Sequence, residues 1–243
     1  IIVASDRLNS TLRKTYVNER KTTEFIHSYQ AKAAGSFDPR FVELYFGETF
    51  APNFFAWIIP ENEESAKIGL GCKVGINPVH AFKKFLKEKQ IDVHIKSDNS
   101  FLIPCAPPMR QLVKEPLLLL GDAAYQTKAT TGGGIIMNCK SADILGQVIN
   151  DHVHHNTSLS EYETRMEPIF KELDLHYKIH QYQSRMDDAQ LNKFFLKLKD
   201  TGMESFLSKE GDMDEPSRFV GKLATNPHML ALLPEAIEFA LAK

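Results

Sequence analysis

The sequence predicts an α+β protein, because strand-like and helix-like stretches are segregated along the chain instead of alternating. Three observations carry this. Aromatic and β-branched runs cluster at 41–46 and 54–59, with a returning run at 66–72. Polar–apolar helical periodicity dominates from Ser160 onward. Between these regions, the apolar run Leu117–Leu120 leads through a glycine-rich loop into one further helical stretch.

Residues 1–4 (IIVA) read as a short buried strand, and Asp6–Ser10 as a turn opening a helix, with Asn9 or Ser10 as N-cap. The runs at 41–46, 54–59 and 66–72, with the polar turn 61–65 between the last two, predict an antiparallel hairpin or meander. In 54–59, Phe55, Trp57 and Ile59 fall on one side and Phe54, Ala56 and Ile58 on the other, so both faces need cover. Pro78–Glu88 predicts an amphipathic helix, with Val79, Phe82 and Leu86 on one face. Residues 91–96, 101–103 and 117–120 predict short strands. A helix is expected from about Gly134 to Asn150, with Ile135, Cys139, Ala142, Leu145 and Ile149 as its apolar stripe. Further helices are expected over 160–182, 187–199, 202–208, 216–224 and 227–241.

Composition narrows the function classes. Of 243 residues, 43% are hydrophobic and 25% charged, which suits a globular chain with a real core, and the net charge of −2 argues against a nucleic-acid partner. Cys72, Cys105 and Cys139 are odd in number and widely spaced, unlike a disulfide framework or a zinc site; a reducing cytosol is expected. No apolar run approaches the ~20 residues of a membrane span. His152, His154 and His155 read as cations complementing a helix end, so no metal is expected. Asp187–Asp188 reads as a solvated helix start. The chain opens on IIVAS without Met, and an N-terminal portion is expected to be absent.

The chemistry concentrates in the loop. Asp122 closes an apolar strand, and Gly132-Gly133-Gly134 follows, with Gly134 twelve residues on and leading a helix. Glycines let a ligand approach backbone N–H groups, and a helix N-terminus suits phosphate or a ring carbonyl. An ionised Asp accepts hydrogen bonds only, which suits a sugar or ribityl hydroxyl. The combination fits a nucleotide carrying both polyol and phosphate. A plain strand–loop–helix connection is the alternative, since the compact G-x-G-x-x-G and the Walker lysine patterns are missing.

The run GDAAYQTKATTGGGI (121–135) resembles the second FAD-contacting motif of the geranylgeranyl reductase family, with Tyr125 at a usual glycine and Ala129 at a usual proline. Pro52–Pro60 followed by Gly69-Leu70-Gly71 resembles that family's P-x-x-Y-x-W-x-F-P and G-x-G segments, with Phe55 for Tyr and Ile59 for Phe. Ala4–Arg13 resembles its A-D-G-x-x-S-x-x-R segment, with Ser5 inserted and Arg7 for the glycine. SLSEYETRM and GDMDEPS are similar to its C-terminal region. The resemblance covers essentially the whole chain and implies that the glycine-rich ADP-binding βαβ unit lies upstream of it.

The resemblance implies part of a Rossmann-like FAD-binding α/β domain, an antiparallel substrate-binding sheet and a C-terminal helical subdomain. The expected boundaries are 1–15 and 113–155 for the FAD-binding parts, 16–112 for the sheet and 156–243 for the helices. It implies FAD as cofactor, held by Gly121, Asp122, Gly133, Gly134 and Ile135, and an isoprenoid lipid substrate met by Phe55 and Trp57. The implied activity is reduction of geranylgeranyl-type double bonds with an external electron donor (NADPH or ferredoxin-like), in the cytoplasm or peripherally at a membrane. No catalytic residue is singled out. A flavin monooxygenase or halogenase, or a non-catalytic remnant or interaction subunit, remain the alternatives.

Overall fold

A computed structural model describes residues 1–16 and 24–218. The expected helix over 227–241, and all but the first residues of the one at 216–224, lie outside the described residues. The elements are β1 (Ile2–Ala4), α1 (Thr11–Tyr16), β2 (Phe25–Ala34), β3 (Glu43–Tyr45), β4 (Ala56–Asn62), β5 (Ser65–Lys73), α2 (Pro78–Glu88), β6 (His94–Pro104), β7 (Val113–Lys114), β8 (Leu117–Leu119), α3 (Ile135–His155), α4 (Glu161–Arg165), α5 (Glu167–Gln183), α6 (Asp188–Asp200) and α7 (Met203–Glu210). The class is α+β.

The described residues form two compact units. Residues 1–16, 104–182 and 190–218 make one; 24–103 and 183–189 make the other.

In the first unit, β1 pairs parallel with β8 and β7 pairs antiparallel with β8, giving the order β1-β8-β7. The three leucines of β8 are each at most 1% exposed, because α3, α4 and α5 enclose them with Met137, Leu145, Val148, Tyr162, Met166 and Phe170. Glu163 of α4 accepts from the backbone N–H groups of Leu112 and Val113, which ties that helix to the β7 end. α3 runs to His155, beyond the expected Asn150, and ends on Asn156 in the left-handed conformation. Its buried face is Met137, Ser141, Leu145 and Val148. The expected stripe was rotated: Leu145 is buried, but Ile135, Cys139 and Ala142 are exposed, because the layer over β8 covers the neighbouring face of the helix. His152 lies in its last turn, with Nδ1 2.7 Å from the Thr157 carbonyl oxygen.

The second unit is a five-stranded sheet in the order β3-β4-β5-β2-β6. The meander β3-β4-β5 is antiparallel throughout. β2, which is absent from the strands expected above, pairs with β5 over nine positions from Ile26↔Lys73 to Ala34↔Ser65. β6 is one strand where two were expected. One sheet face is floored with Ala31, Ala33, Ala56 and Ala66, each 0% exposed, and this flat floor receives Phe82 and Phe85 of α2. Tyr29 meets Phe82, and Tyr45 and Phe50 meet Phe85, with ring centroids 4.9–5.2 Å apart. α2 has its expected bounds, and the Asn77 side chain caps it by accepting from the N–H groups of Val79 and His80.

The opposite face explains the glycines of the 69–71 segment. β4 begins at Ala56, after a turn with Asn53 at φ 68, so the strict alternation expected over 54–59 starts two residues late. Phe54 therefore stacks on Phe55 (4.4 Å, 17°) instead of pointing to the other face. A Cβ at Gly69 would lie 2.6 Å from the Trp57 indole and 2.8 Å from the Tyr29 carbonyl oxygen, and one at Gly71 would lie 2.5 Å from the Phe54 ring. The two glycines leave room for aromatic rings to lie flat on β5. Gly69→Ala should therefore destabilise the protein by about 1–3 kcal/mol through overpacking. Urea unfolding followed by the fluorescence of Trp57, the sole tryptophan, measures this.

Candidate flavin site

The site lies in the first unit, where β8 ends. Leu120 donates its N–H to the Ala4 carbonyl at 2.9 Å, extending the β1–β8 ladder by one bond. The chain then turns at Gly121, whose φ of 71 suits glycine, into a 3₁₀ turn over Gly121–Ala124. The Gly121 N–H donates to Gln126 Oε1 at 2.8 Å, so its contribution toward a ligand is the missing side chain. Gln126 and Tyr162 are both fully buried and meet at 3.3 Å, and burial pushes the Tyr162 phenol up to about 12.

The strand end is locked from the N-terminal segment. Ser10 accepts from the Arg13 N–H at 2.9 Å, which makes Ser10 rather than Asn9 the cap of α1, and Asp6 accepts from the Thr11 N–H at 2.9 Å. The Arg13 guanidinium, 2% exposed, donates to the Leu8 and Ala123 carbonyls at 2.6 Å each and lies 4.8 Å over the Tyr125 ring.

The ligand-facing groups converge at the start of α3. Asp122 accepts from Thr127 Oγ1 at 2.8 Å through one carboxylate oxygen. A Cβ at Gly134 would sit 3.1 Å from Asn138 Nδ2, 3.4 Å from Thr127 Oγ1 and 3.5 Å from Asp122 Oδ1. Gly134 is the N-cap residue of α3, and no side chain caps the helix. Its first N–H groups and the positive end of its dipole therefore face the loop. Asn138 Oδ1 is buried and has no hydrogen-bond partner among the described residues. Acceptors at Asp122 and Asn138 beside an uncapped helix N-terminus and a side-chain-free Gly132–Gly134 fit a molecule with hydroxyls and an anionic or carbonyl oxygen. The FAD ribityl-pyrophosphate region has that pattern. Asp122, Gly133, Gly134 and Ile135 thus come together around one point, with Gly121 beneath them. Sequence reasoning missed Thr127 and Asn138; the only signal for Asn138 was its place one helical turn after Gly134.

In the second unit, Phe55 and Trp57 are 9% and 8% exposed. They form an aromatic cluster with Phe46 and Phe54, and Trp57 Nε1 donates to Gln30 Oε1 at 3.1 Å.

Residues 22–101, spanning this sheet, match the model of the geranylgeranyl reductase catalytic domain. Over that stretch the chain is similar to the geranylgeranyl reductase family. It is 27% identical over 220 residues to digeranylgeranylglycerophospholipid reductase 2 of Methanothermobacter thermautotrophicus, covering 84% of this chain and 56% of that one. It is 29% identical over 166 residues to the digeranylgeranylglycerophospholipid reductase of Methanothrix thermoacetophila, covering 64% and 42%. The chain spans about half the length of these relatives. The fold is shared with a geranylgeranyl bacteriochlorophyll reductase-like protein of Thermoplasma acidophilum (TM-score 0.66, 20% identity, 72% of this chain and 47% of that one). It is shared more loosely with Klebsiella pneumoniae HpxO, solved with FAD and uric acid (TM-score 0.57, 15% identity, 82% and 56%).

The departures from the geranylgeranyl reductase pattern now have a backbone meaning. Arg7 and Tyr125 both replace a glycine of the pattern, and both sit in the left-handed region, at φ 68 and φ 55. Glycine takes that conformation freely, whereas other residues are penalised by about 1–2 kcal/mol. Arg7 is exposed, so Arg7→Gly should stabilise the protein by roughly 1 kcal/mol. Tyr125 is 6% exposed beneath a guanidinium, and losing its ring costs about 3–5 kcal/mol, more than the relief gained. Tyr125→Gly should therefore destabilise by roughly 2 kcal/mol. Thermal unfolding of the two variants, with opposite signs expected, checks both.

Two histidines of α5 set an acid limit for this unit. Burial pushes His180 down from 6.5 to about 4, and burial also lowers His176. Both are neutral in the fold at pH 7, and the unfolded chain takes up protons below about 6.5 that the folded chain refuses. Stability present above pH 6.5 is therefore lost as pH falls toward 4, by up to ~3 kcal/mol for His180. His180→Gln should flatten that slope in denaturant midpoints measured between pH 7 and pH 4.

Proposed function

We propose that this chain is the second part of an FAD site joined to the substrate sheet of an enzyme that reduces isoprenoid double bonds in lipids. The observation that carries the reading is the set at the α3 N-terminus: an orphaned buried acceptor at Asn138, the Asp122 carboxylate and uncapped N–H groups around Gly134. When bound, the flavin supplies the hydride that adds to a carbon–carbon double bond, with a proton completing the saturation. The residues here bind and orient. Asp122, held by Thr127, accepts from a ribityl or ribose hydroxyl, and Asn138 offers a second acceptor. The N–H groups from Gly134 and Ile135 onward meet the flavin or its phosphates, and the absence of a side chain at Gly133 and Gly134 lets them approach. Phe55 and Trp57 give the sheet an apolar wall suited to a lipid tail. The substrate class is that of the digeranylgeranylglycerophospholipid reductases to which the chain is similar, and the electron donor would be NADPH or a ferredoxin-like protein. Such a substrate would bring the enzyme to the surface of a membrane, from the cytoplasmic side.

A flavin monooxygenase or halogenase would use the same glycine loop, but the 22–101 match favours the reductase. A non-catalytic remnant would bind no flavin.

Titration of FAD into the full chain, read by flavin fluorescence, tests the cofactor. Micromolar binding is expected, weakened at least tenfold by Asp122→Ala and by Gly134→Val. Failure to bind, or binding indifferent to both changes, overturns the reading. With reduced flavin and a geranylgeranyl lipid, mass spectrometry should find the gain of two hydrogens per double bond. Substrate-coupled oxygen consumption would instead assign the monooxygenase reaction.

A further inference from the structure

A loop with three consecutive glycines has many conformations open to it, and something must select one. Within the loop, the backbone closure passes through a single residue. The Lys128 N–H donates to the Gly133 carbonyl at 3.1 Å, and the Lys128 carbonyl accepts from Thr131 at 3.3 Å and from Gly132 at 2.8 Å. The position of Lys128 therefore sets the path from 128 to 133. Its side chain turns inward and is 9% exposed, an unusual place for an ammonium group without a partner. The partner comes from far along the chain: the ammonium is paired with the Asp214 carboxylate and donates to the Met213 carbonyl at 3.3 Å.

The segment that supplies these groups is itself folded. Asp212 accepts from the N–H groups of Asp214 and Glu215 at 2.8 and 3.0 Å, and Glu215 pairs with Lys140 of α3 and with Arg218. A second fastening runs through α5. His176 Nδ1 lies 2.7 Å from Thr130 Oγ1, and its Nε2 lies 3.4 Å from the Asp214 carbonyl oxygen. One turn, residues 212–215, thus grips the loop at Lys128, the first third of α3 at Lys140, and the histidine that holds Thr130.

We propose that this turn is a latch that selects the conformation of the glycine loop, with Lys128 and Asp214 as positioning residues for the backbone that faces the cofactor. The proposal rests on the reading of the loop as a flavin site. A loop ordered before binding loses less freedom on meeting its ligand, so the latch raises affinity without touching the ligand. The Lys128 charge is already neutralised by Asp214, which leaves the N-terminus of α3 to meet the anion.

Hydrogen exchange and FAD titration on the full chain test the latch, using Lys128→Met, Asp214→Ala and Asp214→Glu. In the absence of FAD, amides of 128–136 should exchange at least tenfold faster in Lys128→Met and Asp214→Ala, with those of β4 and β5 unchanged. FAD affinity should fall about tenfold in both, and Asp214→Glu should restore both readouts by keeping the carboxylate. Loop exchange as slow as in the parent chain, or faster exchange with unchanged FAD affinity, would overturn the proposal. If the parent chain itself binds no FAD, the flavin reading fails, while the exchange rates still decide whether the turn orders the loop.

Discussion

The buried guanidinium of Arg13 holds together the parts of the chain from which the candidate flavin site is made. It bonds the Leu8 carbonyl on one side and, 110 positions from Arg13 itself, the Ala123 carbonyl on the other, and its face rests on Tyr125. Backbone carbonyls buried at a turn need donors, and a planar group with five N–H bonds can satisfy two strands of chain at once. Because Arg13 is fixed through Ser10 at the start of α1, the end of β8 is fixed too. The turn at Gly121, the direction of Asp122 and the left-handed backbone of Tyr125 then follow. Tyr125 is tolerated in a conformation that favours glycine because its ring is buried beneath that same charge.

The second unit depends on a steric constraint of another kind. Its sheet is crossed on one face by aromatic rings of α2 and on the other by Phe54, Phe55 and Trp57. Alanines make the first face flat enough for a helix, and glycines at 69 and 71 remove the side chains that would hold rings off β5. The segment resembling the family around Trp57 and its distant G-x-G are thus two halves of one packing arrangement. Their spacing in sequence is the distance the chain needs to reverse from β4 into β5 and lay Gly69 opposite Trp57.

Much of this was legible in the residues. Helix α2 could be read to its ends because a proline opens it and its apolar stripe keeps helical spacing. The meander β3-β4-β5 was legible because the runs holding β3 and β4 are rich in aromatic and β-branched residues and the polar turn 61–65 returns the chain into β5. The passage from the end of β8 through a glycine loop into α3 was legible too, since Asp122 closes an apolar run and Gly132–Gly134 lead into a helical stripe. Less legible was β2, whose sequence FIHSYQAKAA has no strand signature. It is a strand because β5 offers it nine partners, and tertiary pairing outweighs weak local preference. The buried face of α3 was misread for a related reason: periodicity gives the set of faces, but the layer above β8 decides which one is covered.

The sequence by itself determined the class, the meander, the glycine loop and the family resemblance, because these rest on local residue chemistry and short spacing. Only the tertiary structure decided that Arg13 closes the β8 turn, that Asn138 carries an unanswered acceptor beside Gly134, and that Asp214 reaches back to Lys128. Each joins groups that the chain order leaves unrelated or gives no reason to connect. Their meeting is set by the pairing of β1 with β8 and by the helices packed over that small sheet.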